Sequence, residues 1–208
     1  KYKMKIIKPL IIIILSLFSC SISSTQKASY EKTITDYQAE LNAYYFNSIK
    51  PLKRSENIKF SGIDFFPIQE KYRVKANFIY TPNGEIVKFP TSDKKTQTYK
   101  KYGIVNFQID KQALSLTLYQ FYPVNNKNKH SLFLPFTDET SGDTTYGGGR
   151  YLNINSKEIN KETNTIFIDF NKAYNPLCAY STNFSCPIPP ADNFLPIEIN
   201  AGANYSIL

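Results

Sequence analysis

The chain has 208 residues, 42% apolar and 15% aromatic, with 16 Tyr, 15 Phe and no Trp. That length suits one domain with an appendage, large enough to bury most of its unfolded surface without staples. The formal charge of +8 invites a nucleic-acid reading, but Lys1, Lys3, Lys5 and Lys8 stand together before an apolar run; without those four of the 25 Lys and Arg, 21 basic residues face 17 acidic ones, scattered and with no Arg-rich stripe to track phosphates, which speaks against nucleic acid as a partner.

The apolar run, Leu10 to Phe18, is too short for a bilayer span of about 20 residues. A basic start, a short apolar stretch and a small residue after it mark a secretory signal. Leu17-Phe18-Ser19-Cys20 resembles the bacterial lipobox. The resemblance implies that Cys20 becomes the acylated N-terminus, palmitate-type chains holding the protein to a cell-envelope membrane at its periplasmic or surface face; plain secretion with cleavage nearby is the alternative. Two or more acyl chains anchor stably, so the chain is expected to lie on the membrane without crossing it. Residues 1–20 thus read as signal peptide and lipobox, residues 21–28 as a small polar tether, and residues 29–208 as a single domain.

Within that domain Tyr30, Ile34, Tyr37, Leu41 and Tyr44 recur at helical spacing, with Glu31 in the first turn and Pro51 beyond, which predicts one amphipathic helix over about Ser29–Asn47. After Gly62 the period changes to two. Tyr72, Val74, Ala76, Phe78 and Tyr80 share a face, Pro82-Asn83-Gly84 turns the chain, and Ile86-Val87 follows. Val105 to Ile109 and Leu114 to Leu118 form a pair about Asp110-Lys111; Leu132 to Phe136, Arg150 to Ile154, Thr165 to Phe170 and Leu195 to Ala201 complete the set. The expectation is a mainly β fold, an antiparallel barrel or sandwich of about eight short strands with one N-terminal amphipathic helix. Between strands, Asn125 to His130 is a polar loop, Asp138 to Gly149 is rich in Thr and Gly, and Tyr174 to Asn193 is rich in Pro and holds two Cys. The last is too long for idle connection.

Several stretches carry a family likeness. Phe136-Thr137-Asp138-Glu139-Thr140-Ser141-Gly142 leads to Thr145-Tyr146-Gly147-Gly148-Gly149-Arg150-Tyr151-Leu152, then Asp169-Phe170-Asn171-Lys172-Ala173-Tyr174-Asn175-Pro176-Leu177-Cys178, and Cys186-Pro187-Ile188-Pro189-Pro190. With Gly62-Ile63-Asp64-Phe65-Phe66-Pro67, Tyr72-Arg73-Val74 and Asn193-Phe194-Leu195-Pro196-Ile197, in that order along the chain, the sequence resembles the domain of unknown function 1684 family from about Lys50 to the C-terminus. The resemblance implies a mainly β domain and brings no reaction.

The chemistry must therefore come from the residues. Arg150 shares parity with Leu152 and Ile154, so it points inward, and a buried guanidinium needs a carboxylate. Asp138 and Asp169 are the two candidates. Ile166, Ile168 and Phe170 share one face of their strand, which leaves Asp169 and Asn171 on the other. Tyr146, Asn171 and Tyr174 complete a candidate ligand-binding set with Asp138, Arg150 and Asp169; the opposing reading is a structural ion pair that pins the sheet. Gly147-Gly148-Gly149 could let backbone amides cradle an anion beside Arg150, or simply permit a tight turn. Asp138, Glu139 and Asp143 lack calcium-loop spacing, and His130 is the only histidine, so neither a metal nor a cofactor is expected. A Ser-His-Asp or Cys-His mechanism would have to run through His130. With Cys20 used for lipid, Cys178 and Cys186 remain as a pair, open to three states: a disulfide, two buried thiols, or reactive or metal-bound thiols. The favoured function is a β domain that binds a small ligand or a protein partner at the envelope; the alternatives are a hydrolase using Asp138 or Asp169 as acid or base, and a purely structural envelope component.

Overall fold

Strand parity from Tyr72 onward sorts the apolar side chains onto one face of a curled sheet. The computed structural model describes the backbone of residues 8–49 and 60–205 and the side chains of residues 24–49 and 60–205. The first seven residues of the expected signal peptide, the Cys20 side chain on which the expected lipidation rests, and Pro51 lie outside the described residues. The chain divides into two compact units, Lys1–Glu40 and Leu41–Leu208.

Helix α1 spans Lys8–Ile49 and runs across both units. It starts upstream of the predicted Ser29, because residues 21–28 contain neither Gly nor Pro to stop it. In the first unit its described turns carry exposed ion pairs, Lys27–Glu31 at 3.9 Å and Lys32–Asp36 at 2.6 Å, each contributing a few tenths of a kcal/mol.

In the second unit the last turns of α1 bury Tyr45 and Ile49 against Phe60, Ile63 and Ala203. The predicted stripe ends on Tyr44, yet Tyr44 is 58% exposed and Tyr45 only 2%; Tyr45 shares its face with buried Ile49, one turn on, which carries the buried stripe past Tyr44. The Asn42 side chain fixes the incoming segment, accepting from Ile63 N at 2.7 Å and donating to Ile63 O at 3.4 Å.

The sheet has eight strands: β1 (Arg73–Tyr80), β2 (Ile86–Pro90), β3 (Thr96–Ile109), β4 (Gln112–Phe121), β5 (Ser131–Asp138), β6 (Arg150–Asn155), β7 (Thr165–Asp169) and β8 (Phe194–Leu195). Its order is β6-β5-β4-β3-β1-β7, with β2 on β3 and β8 on β5. Every pairing is antiparallel except β5 with β8, and the whole curls into a half-barrel. Asp110 and Lys111 both take positive φ, 49° and 69°, which matches the twist of the β3–β4 hairpin. The predicted strand Leu195 to Ala201 is a strand only at Phe194–Leu195. The residues after it leave the ladder because their carbonyls find a side-chain donor, described below.

The concave face holds the main core, including Phe78, Val105, Leu116, Leu134, Leu152 and Ile168. The convex face is also covered at one end, by a layer of rings: Phe89, Tyr99, Tyr119, Phe133 and Tyr151. A bulge between Lys101 and Gly103 makes both layers possible. It moves one residue out of register, so Tyr99 lies on the face opposite Val105 and Phe107 although all three share parity in sequence. Gly103 is required there, since a Cβ would come within 2.4 Å of the Phe78 ring and 2.6 Å of Ile79 O.

Candidate functional site

Arg150 opens β6 opposite Phe136 of β5 and points into the concave core. Gly149 makes the entry possible: its φ is +82°, and a Cβ there would lie 2.7 Å from Phe136 O. The guanidinium is fully buried. Its Nη2 donates to Asp138 Oδ2 at 2.6 Å and to Ile199 O at 2.8 Å; its Nη1 donates to Ala201 O at 2.6 Å and Ala203 O at 3.2 Å. The Phe136 ring lies 5.2 Å from the guanidinium carbon. The segment bends as it passes: Ala201 N donates to Ile199 O at 2.9 Å and Gly202 takes a φ of +72°. Arg150 gathers the carbonyls of this bent segment onto one group of donors.

Asp138 is as closed as its partner. Its Oδ1 accepts from Thr140 N at 2.7 Å and from the Thr140 hydroxyl, which contacts Thr145 Oγ1 at 2.9 Å. Burial lowers the Arg150 pKa from its ordinary value and Asp138 partly restores it; a guanidinium stays charged at any pH a cell meets. A pair fixed at both ends has no proton to give and no face to offer a substrate.

The other sequence candidates do not gather there. Asp169 turns its Oδ1 to Asn171, accepting from its N and Nδ2, both at 3.1 Å. Asn171 is buried and holds Gln69 like a strand partner, accepting from Gln69 N at 3.0 Å and donating to Gln69 O at 2.9 Å. Tyr146 packs edge-on against Tyr205 at 5.3 Å, and burial raises its pKa, which disfavours it as a base. The glycine run forms no anion cradle with Arg150: the guanidinium faces the core, and Gly149 N donates to Tyr146 O. Glu139 and Asp143 are exposed while Asp138 is buried, so the three acids do not converge. Cys178 and Cys186 are joined by a disulfide.

Tyr174 borders an open site. A cleft of about 560 Å³ lies where β4, β5 and β6 end, between Phe121 and Tyr174. Ser131, Asn153 and Asn155 belong to the convex face by register, since Phe133 of the outer ring layer pairs with Asn153. Phe121 is 38% exposed and stacks beside Tyr99 at 5.1 Å and Phe133 at 5.9 Å. Tyr174 is tied to β6 by backbone bonds in both directions with Tyr151, and its hydroxyl donates to Asn153 Oδ1 at 3.0 Å. His130 and Glu158 stand at the rim, with His130 Nδ1 3.1 Å from Ser156 Oγ. Sequence reasoning found Tyr174 alone of these. Two further clefts, of about 580 and 340 Å³, open against β1, β3 and β4 and beside Tyr72, and neither is lined by Asp138 or Arg150.

A family model described as "Protein of unknown function (DUF1684)" matches residues 58–204. The solution NMR structure of an uncharacterized protein from gene locus rrnAC0354 of Haloarcula marismortui is 30% identical, with a TM-score of 0.64, over 86% of this chain and 96% of that one. No curated protein matches.

Proposed function

The chain belongs to the DUF1684 family, whose description names no reaction, and we propose from its own residues that it is a lipid-anchored envelope protein whose β domain binds a ligand and does not turn one over. One contrast carries the binding half of this reading. The strongest charged pair, Arg150 with Asp138, is buried and held through both Nη atoms of the guanidinium and both carboxylate oxygens, whereas the cleft beside Tyr174 is open and walled by fixed rings. Binding sites are concave, with a few placed polar groups, and need no titrating pair. Hydrolysis through Asp138 would require a carboxylate free to take a proton.

The anchor is supported from two sides. The segment Leu17 to Cys20 resembles the lipobox, and the disulfide between Cys178 and Cys186 leaves Cys20 as the odd cysteine and suits an oxidising compartment. Changing Cys20 to Ala is expected to yield unprocessed precursor or protein released from membranes, read by fractionation and palmitate labelling. Normal processing with full membrane retention would overturn the anchor.

A purely structural envelope role is the second reading, favoured by the closed Arg150 network itself. It predicts that blocking the cleft leaves every interaction of the protein unchanged.

A further inference from the structure

We propose that the cleft beside Tyr174 is a saccharide site, taking a neutral or N-acetylated hexose unit of an envelope glycan. The proposal rests on the binding reading above and gives it a ligand class. A sugar ring offers an apolar C–H face and a rim of hydroxyls that both donate and accept. The cleft matches each part. Phe121 and Tyr174 supply the apolar walls; they rise from β4 and from the segment bonded to β6. Counting β5 and β6 between them, those two segments lie three spacings apart, about 14 Å, and the two facing side chains narrow that gap to the width of one ring. Both walls are fixed before any ligand arrives, Phe121 by Tyr99 and Phe133, Tyr174 by Asn153 and the Tyr151 ring at 5.8 Å. Pre-ordering lowers the entropic cost of binding.

Between the walls, Ser131, Asn153 and Asn155 present a hydroxyl and two amides from the convex face, and Glu158 adds an acceptor at the rim. Among the described residues no Lys or Arg lines the cleft, which argues against phosphate or another anion. Glu158 is its one carboxylate among the described residues. Glycoside cleavage generally uses two carboxyl groups about 5–9.5 Å apart, so the chemistry here is recognition.

The test uses the detergent-solubilised full chain, titrated by calorimetry with N-acetylchitotetraose, with cellotetraose and with an extended Val/Thr heptapeptide. Saturable binding of either saccharide is expected, weakened about tenfold in Phe121→Ala, the scale of one lost aromatic contact. Ser131→Tyr, on an exposed position that leaves the core alone, should abolish it by filling the cleft. Binding of the peptide alone, lost in Ser131→Tyr, would overturn the saccharide assignment and leave the binding reading standing. No binding of any of the three would overturn the saccharide assignment, and if envelope extract also bound wild type and Ser131→Tyr alike, the binding reading would fall with it. Saccharide binding indifferent to both variants would overturn the location.

Discussion

Arg150 and Asn153 stand on the same strand, an odd number of residues apart, and so face opposite sides of the sheet. Arg150 enters a core where a carboxylate and three carbonyls meet its Nη donors, Nε alone going without a partner among the described residues. Asn153 faces outward, touches one tyrosine hydroxyl and lines an open cleft. By residue type Arg150 is the stronger functional candidate, and by environment the weaker. A polar group sealed in and held by its own chain is architecture; one left at a cleft wall is available to something else.

The comparison breaks most sharply at Arg150. Arg150→Met strands the Asp138 charge and the carbonyls of Ala201 and Ala203, and should cost about 3–5 kcal/mol in urea unfolding. Adding Asp138→Leu removes the stranded charge, and if the pair were only an ion pair the double variant would recover most of the loss. Because the Ala201 and Ala203 carbonyls still lack donors, recovery is expected to stay incomplete. Full recovery would reduce Arg150 to a counter-ion.

A second test asks whether the convex ring layer is a true core. Burial pushes Tyr119 of that layer, and Tyr180 near the end of α1, up to about 12 from the ordinary 10.0. A raised pKa means the folded chain holds those protons more tightly. The associated stability is therefore complete below about pH 10 and is lost as pH rises towards 12. The melting temperature should fall across that interval, with tyrosinate absorbance lagging behind free tyrosine. Absorbance complete near pH 10 in protein that is still folded would show that the layer is wet.

The smallest effect is expected at the cleft. Glu158→Gln changes an exposed rim residue and should alter stability by no more than about 0.5 kcal/mol. A loss several times larger would move Glu158 to the structural side of the comparison.

Much of the concave side was legible from sequence because it follows parity. Leu152 and Ile154 oriented Arg150, and the need for a carboxylate reduced its partner to Asp138 or Asp169. Choosing between them was not legible: it depends on where β5 ends beside β6, which is a matter of register. The convex side was hidden by the bulge at Lys101 and Gly103, which breaks the alternation that would have placed Tyr99. Asn171 read as a ligand residue because a side-chain amide resembles a peptide group. That same property lets it pair with Gln69, and lets Asn193 pair with Thr117, accepting from its N at 2.9 Å and donating to its O at 3.0 Å. The cleft escaped notice because Phe121, Ser131, Asn155 and Glu158 come from three strands and a turn, with no spacing to link them.

The clasp of Arg150 on Ile199, Ala201 and Ala203 also sets an order of events. A chain that emerges N-terminus first, from a ribosome or through a membrane pore, exposes Arg150 some fifty residues before the carbonyls it needs. Until they arrive, its donors are best met by water, so the concave core has reason to stay hydrated. Closure of the core is thereby deferred until residues 199–203 have emerged.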